Sequence, residues 1–413
     1  LGAVVAPDAP LMRLWSISPA TEQQYLPEET TMQFGIKRKS LFALAASVAL
    51  LAGATDGFAQ AKPPVRLAAI LPLSGAGTFE GQQGIEGMQA AAAIINDKGG
   101  ILGGRKIEII PYDDKSSPEE GVSAARRAIE QDKVDAIVGN MFSPIALAMK
   151  EVTRDKILHV VLAPQHPKVT EEGHKWLFRL NETTIMRGGN FSKFICTKMN
   201  LKSVAILAIN DDYGRSEAGN YGKWLQECGM QVKGTEFFQG TDTDFNVQLT
   251  KIRGLQTDAI YVAASATSQG ATIYRQIRQL GYKGTVVASG GNMNPKLIEL
   301  SGNSIEGVYS VSPYVEDVEN PIAAAWRTEY AKRFKNATSF VAALSAAGLE
   351  VTAGAMDKAG TSTDYEKIAA AIRGNQWNTV LGDMKFNNIG QGFLSSYIVQ
   401  VKNGKITTTS RAN

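Results

Sequence analysis

Ala136-Ile-Val-Gly-Asn-Met-Phe-Ser-Pro-Ile-Ala-Leu-Ala-Met-Lys-Glu-Val152 is the stretch whose reading decides the fold. Ala136 to Val138 suit a buried parallel strand, Gly139 and Asn140 break it, and Ser143-Pro144 opens an apolar-periodic segment as a helix cap followed by a first-turn proline. Strand, loop and helix in that order leave free N–H groups at a helix N-terminus. The helix dipole and those donors suit an anion, with the Ser143 hydroxyl beside them. Ser143 then has two open uses: it caps its own helix, or it holds a small carboxylate.

The same unit recurs on both sides of this stretch. Val65 to Leu71 is a strand, left through Pro72-Leu-Ser-Gly-Ala-Gly-Thr-Phe79, and Gly81 to Asn96 carries helical spacing ended by Asp97-Lys-Gly-Gly100. Ile107 to Tyr112 is the next strand and Pro118 to Gln131 the next helix. Leu158 to Leu162 is a strand opening onto Ala163-Pro-Gln-His-Pro167. A second series begins near Phe191, with strands at Val204 to Ile209, Ala259 to Ala264 and Thr285 to Ala288. Helices are expected at Ser216 to Cys228, Gln248 to Leu255 and Ala271 to Leu280. Their loops are Asn210-Asp-Asp-Tyr-Gly214, Ser265-Ala-Thr-Ser-Gln269 and Ser289-Gly-Gly-Asn292. Alternating strands and helices make parallel sheets covered by helices, and two series make two doubly wound α/β lobes. Ligands of such sheets lie outside the carboxyl ends of the strands, where these loops fall. Beyond them, Pro321 to Phe334, Thr338 to Lys358 and Tyr365 to Arg373 read as helices, and Met384 to Phe386 and Ser396 to Val401 as strands.

The 413 residues are 44% hydrophobic and 20% charged, as in ordinary globular proteins. Lys37-Arg38-Lys39, the apolar run Leu41 to Leu51 and Ala59-Gln60-Ala61 form the three parts of a secretory signal over residues 32–61, with cleavage before Lys62. Leu51-Ala52-Gly53-Ala54 has alanine where a lipoprotein box carries its cysteine, which argues against a lipid anchor. Residues 1–31 show no periodicity and are read as an upstream extension without a fold. The remaining chain has 39 Lys and Arg against 35 Asp and Glu, a net +4 spread along its length. No dense basic run points to nucleic acid. Cys196 and Cys228 are compatible with one disulfide in an oxidising compartment.

Catalytic and cofactor motifs are missing. Gly75-Ala-Gly77-Thr-Phe-Glu80 puts glutamate at the third glycine of a dinucleotide fingerprint, and no P-loop follows any strand. His159, His166 and His174 lack the spacing of a zinc helix. His159 reads as a core residue, while His166 lies in a loop facing the expected pocket. Asp113-Asp114 reads as a solvated turn capping the next helix. No nucleophile elbow or Cys/His pair occurs, so neither a cofactor nor a catalytic role is expected.

Ile70-Leu-Pro-Leu-Ser-Gly75, Ile94-Ile-Asn-Asp-Lys-Gly-Gly-Ile-Leu-Gly-Gly-Arg105, Tyr112-Asp-Asp114 and Ile137-Val-Gly139, in that order and spacing, resemble the leucine/isoleucine/valine-binding protein family of bacterial ABC importers. The resemblance covers the chain from about Val65 onward. It implies a type I periplasmic binding protein fold, two lobes joined by three crossovers near Thr183, Ser312 and Leu394. Residues 62–183 and 313–394 would form lobe 1, and residues 184–312 and 395–413 lobe 2. It also implies export to the periplasm, a monomer, and delivery of a small molecule to ABC permease subunits. A sensor built on the same fold is the alternative.

The resemblance implies a site as well. The family's carboxylate-holding serine falls on Ser143, its alanine backbone contact on Ala163 and its next hydroxyl on Gln165. A second-lobe tyrosine falls on Tyr213. By residue type, Phe142, Tyr213 and Phe79 are candidate apolar walls, with a core position as the alternative for each. Gln165 replaces the family's hydroxyl, and two further positions depart from the pattern: the second aromatic falls on Ser265, and the glutamate that pairs with an amino acid's ammonium falls on Gly290. A buried ammonium needs an anionic partner or several good acceptors; Asp211, Asp212 or Glu182 are candidate substitutes, but nothing in the sequence places them there. The expected ligand is therefore an aromatic or aliphatic carboxylate without an α-amine, with a branched-chain amino acid as the alternative.

Overall fold

A computed structural model describes residues 62–412 apart from 291 and 292. The expected signal and the upstream extension lie outside the described residues.

β1 (Val65–Leu71), α1 (Thr78–Asp97), β2 (Ile107–Asp113), α2 (Pro118–Arg126), β3 (Ala136–Gly139), α3 (Ser143–Thr153), β4 (His159–Val161), α4 (Lys168–Glu171) and β5 (Leu177–Arg179) follow one another in the first lobe. Their strands form a wholly parallel sheet in the order β2-β1-β3-β4-β5. β1, β3 and β4 are nearly continuous apolar runs because helices cover both faces of this sheet.

The second lobe contains α5 (Thr184–Lys198), β6 (Ser203–Ile209), α6 (Asp212–Glu227), β7 (Gln231–Phe238), α7 (Asn246–Gly254), β8 (Ala259–Ala263), α8 (Thr267–Gln279), β9 (Thr285–Ala288), α9 (Pro295–Ser301) and β10 (Tyr309–Ser312). The chain then returns to the first lobe with α10 (Pro321–Arg333), α11 (Phe340–Ala359), α12 (Tyr365–Gly374) and the antiparallel strands β11 (Trp377–Thr379), β12 (Gly382–Phe386) and β13 (Gly392–Phe393). It ends in the second lobe with β14 (Tyr397–Lys402) and β15 (Lys405–Arg411), which pair antiparallel beyond β10. The second sheet runs β15-β14-β10-β9-β8-β6-β7.

α11 is the apolar centre of the first lobe, and its alanines share one core with β1, β3 and β4. It crosses α1 so closely that a Cβ on Gly87 would stand 2.1 Å from the Ala342 carbonyl oxygen. In the second lobe, Cys196 on α5 is bonded to Cys228 at the end of α6, with Cα atoms 6.2 Å apart. The bridge closes a span of 32 residues, and removing it releases chain entropy to the unfolded state. Replacing both cysteines with serine should cost about 3–4 kcal/mol in urea unfolding. A difference under about 1 kcal/mol would contradict this.

Several local expectations need correction. α1 starts at Thr78 and α6 at Asp212, so Phe79 and Tyr213 sit in first helical turns rather than loops. β7 and β15 are strands that the apolar pattern does not show, because both are edge strands with exposed Lys, Glu or Thr alternating along them. The Asp113-Asp114 turn is solvated at Asp113 and Lys115 but not at Asp114. Asp113 Oδ1 accepts from the Leu73, Ser74 and Lys115 N–H groups, pinning the loop after β1, and Asp114 is fully buried beneath it.

The chain passes between lobes at residues 180–183, 313–320 and 394–396, where polar contacts tie the first and third passages. Gln391 Nε2 donates to the Asn181 carbonyl at 2.9 Å, and the Ser396 hydroxyl donates to Glu182. Arg179, fully buried, donates through Nε to Gln391 Oε1 at 2.8 Å, and desolvation pulls its pKa down to about 9.

Candidate ligand-binding site

Each sheet has one topological switch point. In the first, β1 is flanked by β2 and β3, so the loops after β1 and β3 diverge; in the second, β6 is flanked by β7 and β8. The loops at these points and the first helical turns after them carry Gly77 to Glu80 and Met141 to Ser143 on one side, Asp211 to Tyr213 and Ala264 to Thr267 on the other. Crevices at such points are where this architecture binds ligands.

A cavity joins the two. It is lined by Met141, Phe142, Ser143, Ala163, Pro164 and Gln165 from the first lobe, by Tyr213 and Ser265 from the second, and by Phe340 at the start of α11. Its volume is about 20 Å³, which is room for a single water. A small organic acid or an amino acid does not fit this volume in the present arrangement of the lobes.

Ser143 does not cap its own helix. Phe142 stands at the N-cap without a side-chain cap bond, and Ser143 is already helical, with Pro144 next. Its Oγ instead accepts from the Gln165 N–H at 3.2 Å and the His166 N–H at 3.3 Å, both on the loop after β4. With its acceptor positions taken, the hydroxyl has its own proton left to donate. The uncapped first turn of α3 supplies further donors on the same side.

The loop carrying Ser143 is fixed from beneath. Asn140 is buried and left-handed, φ 69°, a conformation few side chains adopt. Its Oδ1 lies 2.8 Å from His159 Nε2, and its amide nitrogen donates to Met149. His159 Nδ1 meets the Thr153 hydroxyl at 3.1 Å, so a neutral imidazole protonated on Nε2 satisfies both contacts. Desolvation, aided by His174, lowers the His159 pKa to about 3. Desolvation likewise takes His174 to about 4.

The remaining expected residues fall as follows. Tyr213 donates to Ser289 Oγ at 2.7 Å and is buried, which raises its pKa well above the ordinary value. His166 lies on the Gln165 loop, but its ring turns to Lys168 N, outside the cavity lining. Phe79 is half-buried and also outside it. Gly290 has no room for a side chain. A Cβ there would stand 2.3 Å from Arg187 Nη1 and 2.7 Å from the Val311 carbonyl oxygen.

Arg187, from α5, is the residue that sequence reading misses at this point. It is 3% exposed, donates to the Gly290 carbonyl at 3.1 Å and to Asn181 Oδ1 at 2.6 Å, and pairs with Glu182 at 3.6 Å. A guanidinium thus fills the place where the family resemblance puts a glutamate. Glu182 is engaged by Arg187 and Ser396, and Asp211 caps α6 by accepting from the Gly214 N–H at 2.8 Å. Glu80 is a second missed residue. Buried in α1, it accepts from the N–H and hydroxyl of Thr267 in the other lobe, at 2.8 and 2.6 Å.

The sequence profile of the periplasmic binding proteins matches residues 64–405. The chain belongs to the periplasmic binding protein family. Family members bind solutes rather than transform them, and they hand small molecules to ABC permeases from the periplasm. The leucine-, isoleucine-, valine-, threonine- and alanine-binding protein of Pseudomonas aeruginosa is 25% identical over 87% of this chain and 94% of its own length. The leucine binding protein LivK of Thermotoga maritima has a TM-score of 0.78 and 29% identity, over 84% of this chain and 99% of that one. A solute binding protein from R. palustris, in complex with benzoate, reaches a TM-score of 0.79 at 18% identity. It covers 84% of this chain and 96% of that one, a likeness of fold alone.

Proposed function

We propose that this receptor captures a small organic acid lacking an α-amine, aromatic or branched aliphatic, for delivery to an ABC permease. The observation that carries the reading is the Arg187 guanidinium seated on Gly290. An amino acid bound through its carboxylate at Ser143 would bury its ammonium, and a buried cation needs an anionic partner to offset desolvation. Position 290 offers none, and the nearest buried charge is a cation. The carboxylate end is supported by the Ser143 hydroxyl, whose acceptor sites are filled, and by the open first turn of α3. Phe142, Tyr213, Phe340 and Met141 give apolar walls for a ring or a branched chain. The R. palustris neighbour of the same fold, in complex with benzoate, supports the reading.

The second reading is a branched-chain amino acid. It is favoured by the substrates named for the Pseudomonas and Thermotoga relatives and by Glu80, a buried carboxylate bonded to Thr267, two residues past the cavity-lining Ser265. A thermal-shift screen separates the two, since a ligand that binds only the folded state raises the melting temperature. Benzoate, hydroxybenzoate and isocaproate should raise it and leucine, isoleucine and valine should not; the reverse pattern would establish the second reading. Ser143→Ala should weaken the best acid by roughly 1–3 kcal/mol, because one donor to the carboxylate is lost and the backbone donors remain. Unchanged affinity would make Ser143 a loop brace only.

A further inference from the structure

α8 begins four residues earlier than its apolar spacing indicates, at Thr267, and Ala266 in its N-cap position has no side chain that can cap it. The cap comes from the other lobe. Glu80 Oε1, on the first turn of α1, accepts from the Thr267 N–H at 2.8 Å and from its hydroxyl at 2.6 Å. Asn294 Nδ2 donates to the same Thr267 oxygen at 2.8 Å, while Asn294 Oδ1 caps α9. The hydroxyl is thereby held with its proton directed at Glu80. Glu80 is 2% exposed although it sits on a first helical turn, and its Oε2 has no hydrogen-bond partner among the described residues. Both the burial and the contact exist only while the lobes are together, because α1 packs on the first sheet and α8 on the second.

We propose that Glu80 is the closure-determining residue of this receptor, a carboxylate from one lobe that caps a helix of the other only in the closed arrangement. In the open arrangement the Glu80 carboxylate and the first N–H groups of α8 return to water. The contact therefore adds to the closed state and not to the open one, and a ligand that needs closure gains the difference. Ser265 lines the ligand cavity two residues before Thr267, so the clasp closes at the rim of the binding site. Glu80 acts through lobe position and not through contact with ligand. This rests on the two-lobe capture mechanism but not on which acid is captured.

The test measures affinity by calorimetry and lobe separation by the distance between one spin label on each lobe, for wild type, Glu80→Ala, Glu80→Gln and Thr267→Val. Affinity should fall roughly 10- to 100-fold in Glu80→Ala, since charge-assisted bonds are lost from the closed state alone. The fall should be equal for benzoate, hydroxybenzoate, isocaproate and leucine, whichever of them the wild type binds. Glu80→Gln keeps a neutral acceptor and should recover part of the affinity, and Thr267→Val, which keeps the backbone donor, should also fall between Glu80→Ala and wild type. Each variant should unfold cooperatively, and at one fixed ligand concentration the label distances of Glu80→Ala should shift toward the open arrangement. Unchanged affinity and distances in Glu80→Ala would overturn the proposal. A loss confined to ligands bearing an ammonium or hydroxyl would also overturn it, by making Glu80 a ligand contact. Were leucine the only wild-type ligand, the acid reading would fail while an equal loss for leucine analogues, amine-free ones included, would leave the clasp standing.

Discussion

Arg187→Met should lower the free energy of unfolding by about 3–5 kcal/mol, the cost of breaking a buried ion pair from one side. The guanidinium is enclosed, and its contacts to Glu182, Asn181 and the Gly290 carbonyl link the first passage between lobes to the loop after β9. Methionine fills similar space but takes the positive charge away from Glu182 and the donor away from the Gly290 carbonyl. Pairing Arg187→Met with Glu182→Gln should restore part of the loss, because the cycle then removes the buried charge along with its partner. Urea unfolding of the four proteins measures this. A single-variant loss below about 1 kcal/mol would place Arg187 among ordinary solvated arginines.

The second large effect is a difference between two pH values. Asp114 is fully buried, accepts one bond from the Ser116 N–H at 2.9 Å, and has its other oxygen unpartnered among the described residues. Desolvation raises its pKa from 3.8 to about 7. The folded state thus holds a proton that the unfolded chain has lost, so its contribution is full below about pH 4 and disappears as pH rises through about 7. His159 and His174 have the opposite slope. Held neutral, with pKa values of about 3 and 4, they favour the fold above about pH 6.5 and cost stability as pH falls from there. The two trends offset one another in the wild type, and Asp114→Asn separates them. The stability of Asp114→Asn relative to wild type should improve by about 3–4 kcal/mol between about pH 4 and pH 8. A constant difference between the two proteins across that range would refute the buried acid.

How much of this is legible in the sequence depends on where each determinant lies. β1 and β9 are read to the residue because their signals are local, apolar runs bounded by glycine, proline or serine. The ligand loops are legible for the same reason, each following a strand. α8 is not read correctly at its start, because the residue that caps it lies 187 positions away in the other lobe. Glu80 does carry a trace in the sequence, as the carboxylate where a glycine motif fails. Arg187 carries none, since an arginine in a helix reads as solvated until folding places Gly290 against it. Phe340 reaches the cavity only because α11 spans the first lobe. Ser143 is legible as a helix start but not in its role, which is set by the loop after β4.

The central claim is that the site accepts an acid and excludes an α-amine. Titration calorimetry of the wild type with isocaproate and with leucine tests it most directly, because the two share a carbon skeleton and differ in the ammonium alone. Isocaproate should bind at least about 100-fold more tightly, since an ammonium with no counter-charge at position 290 pays for its desolvation. Equal binding, or tighter binding of leucine, would contradict the account.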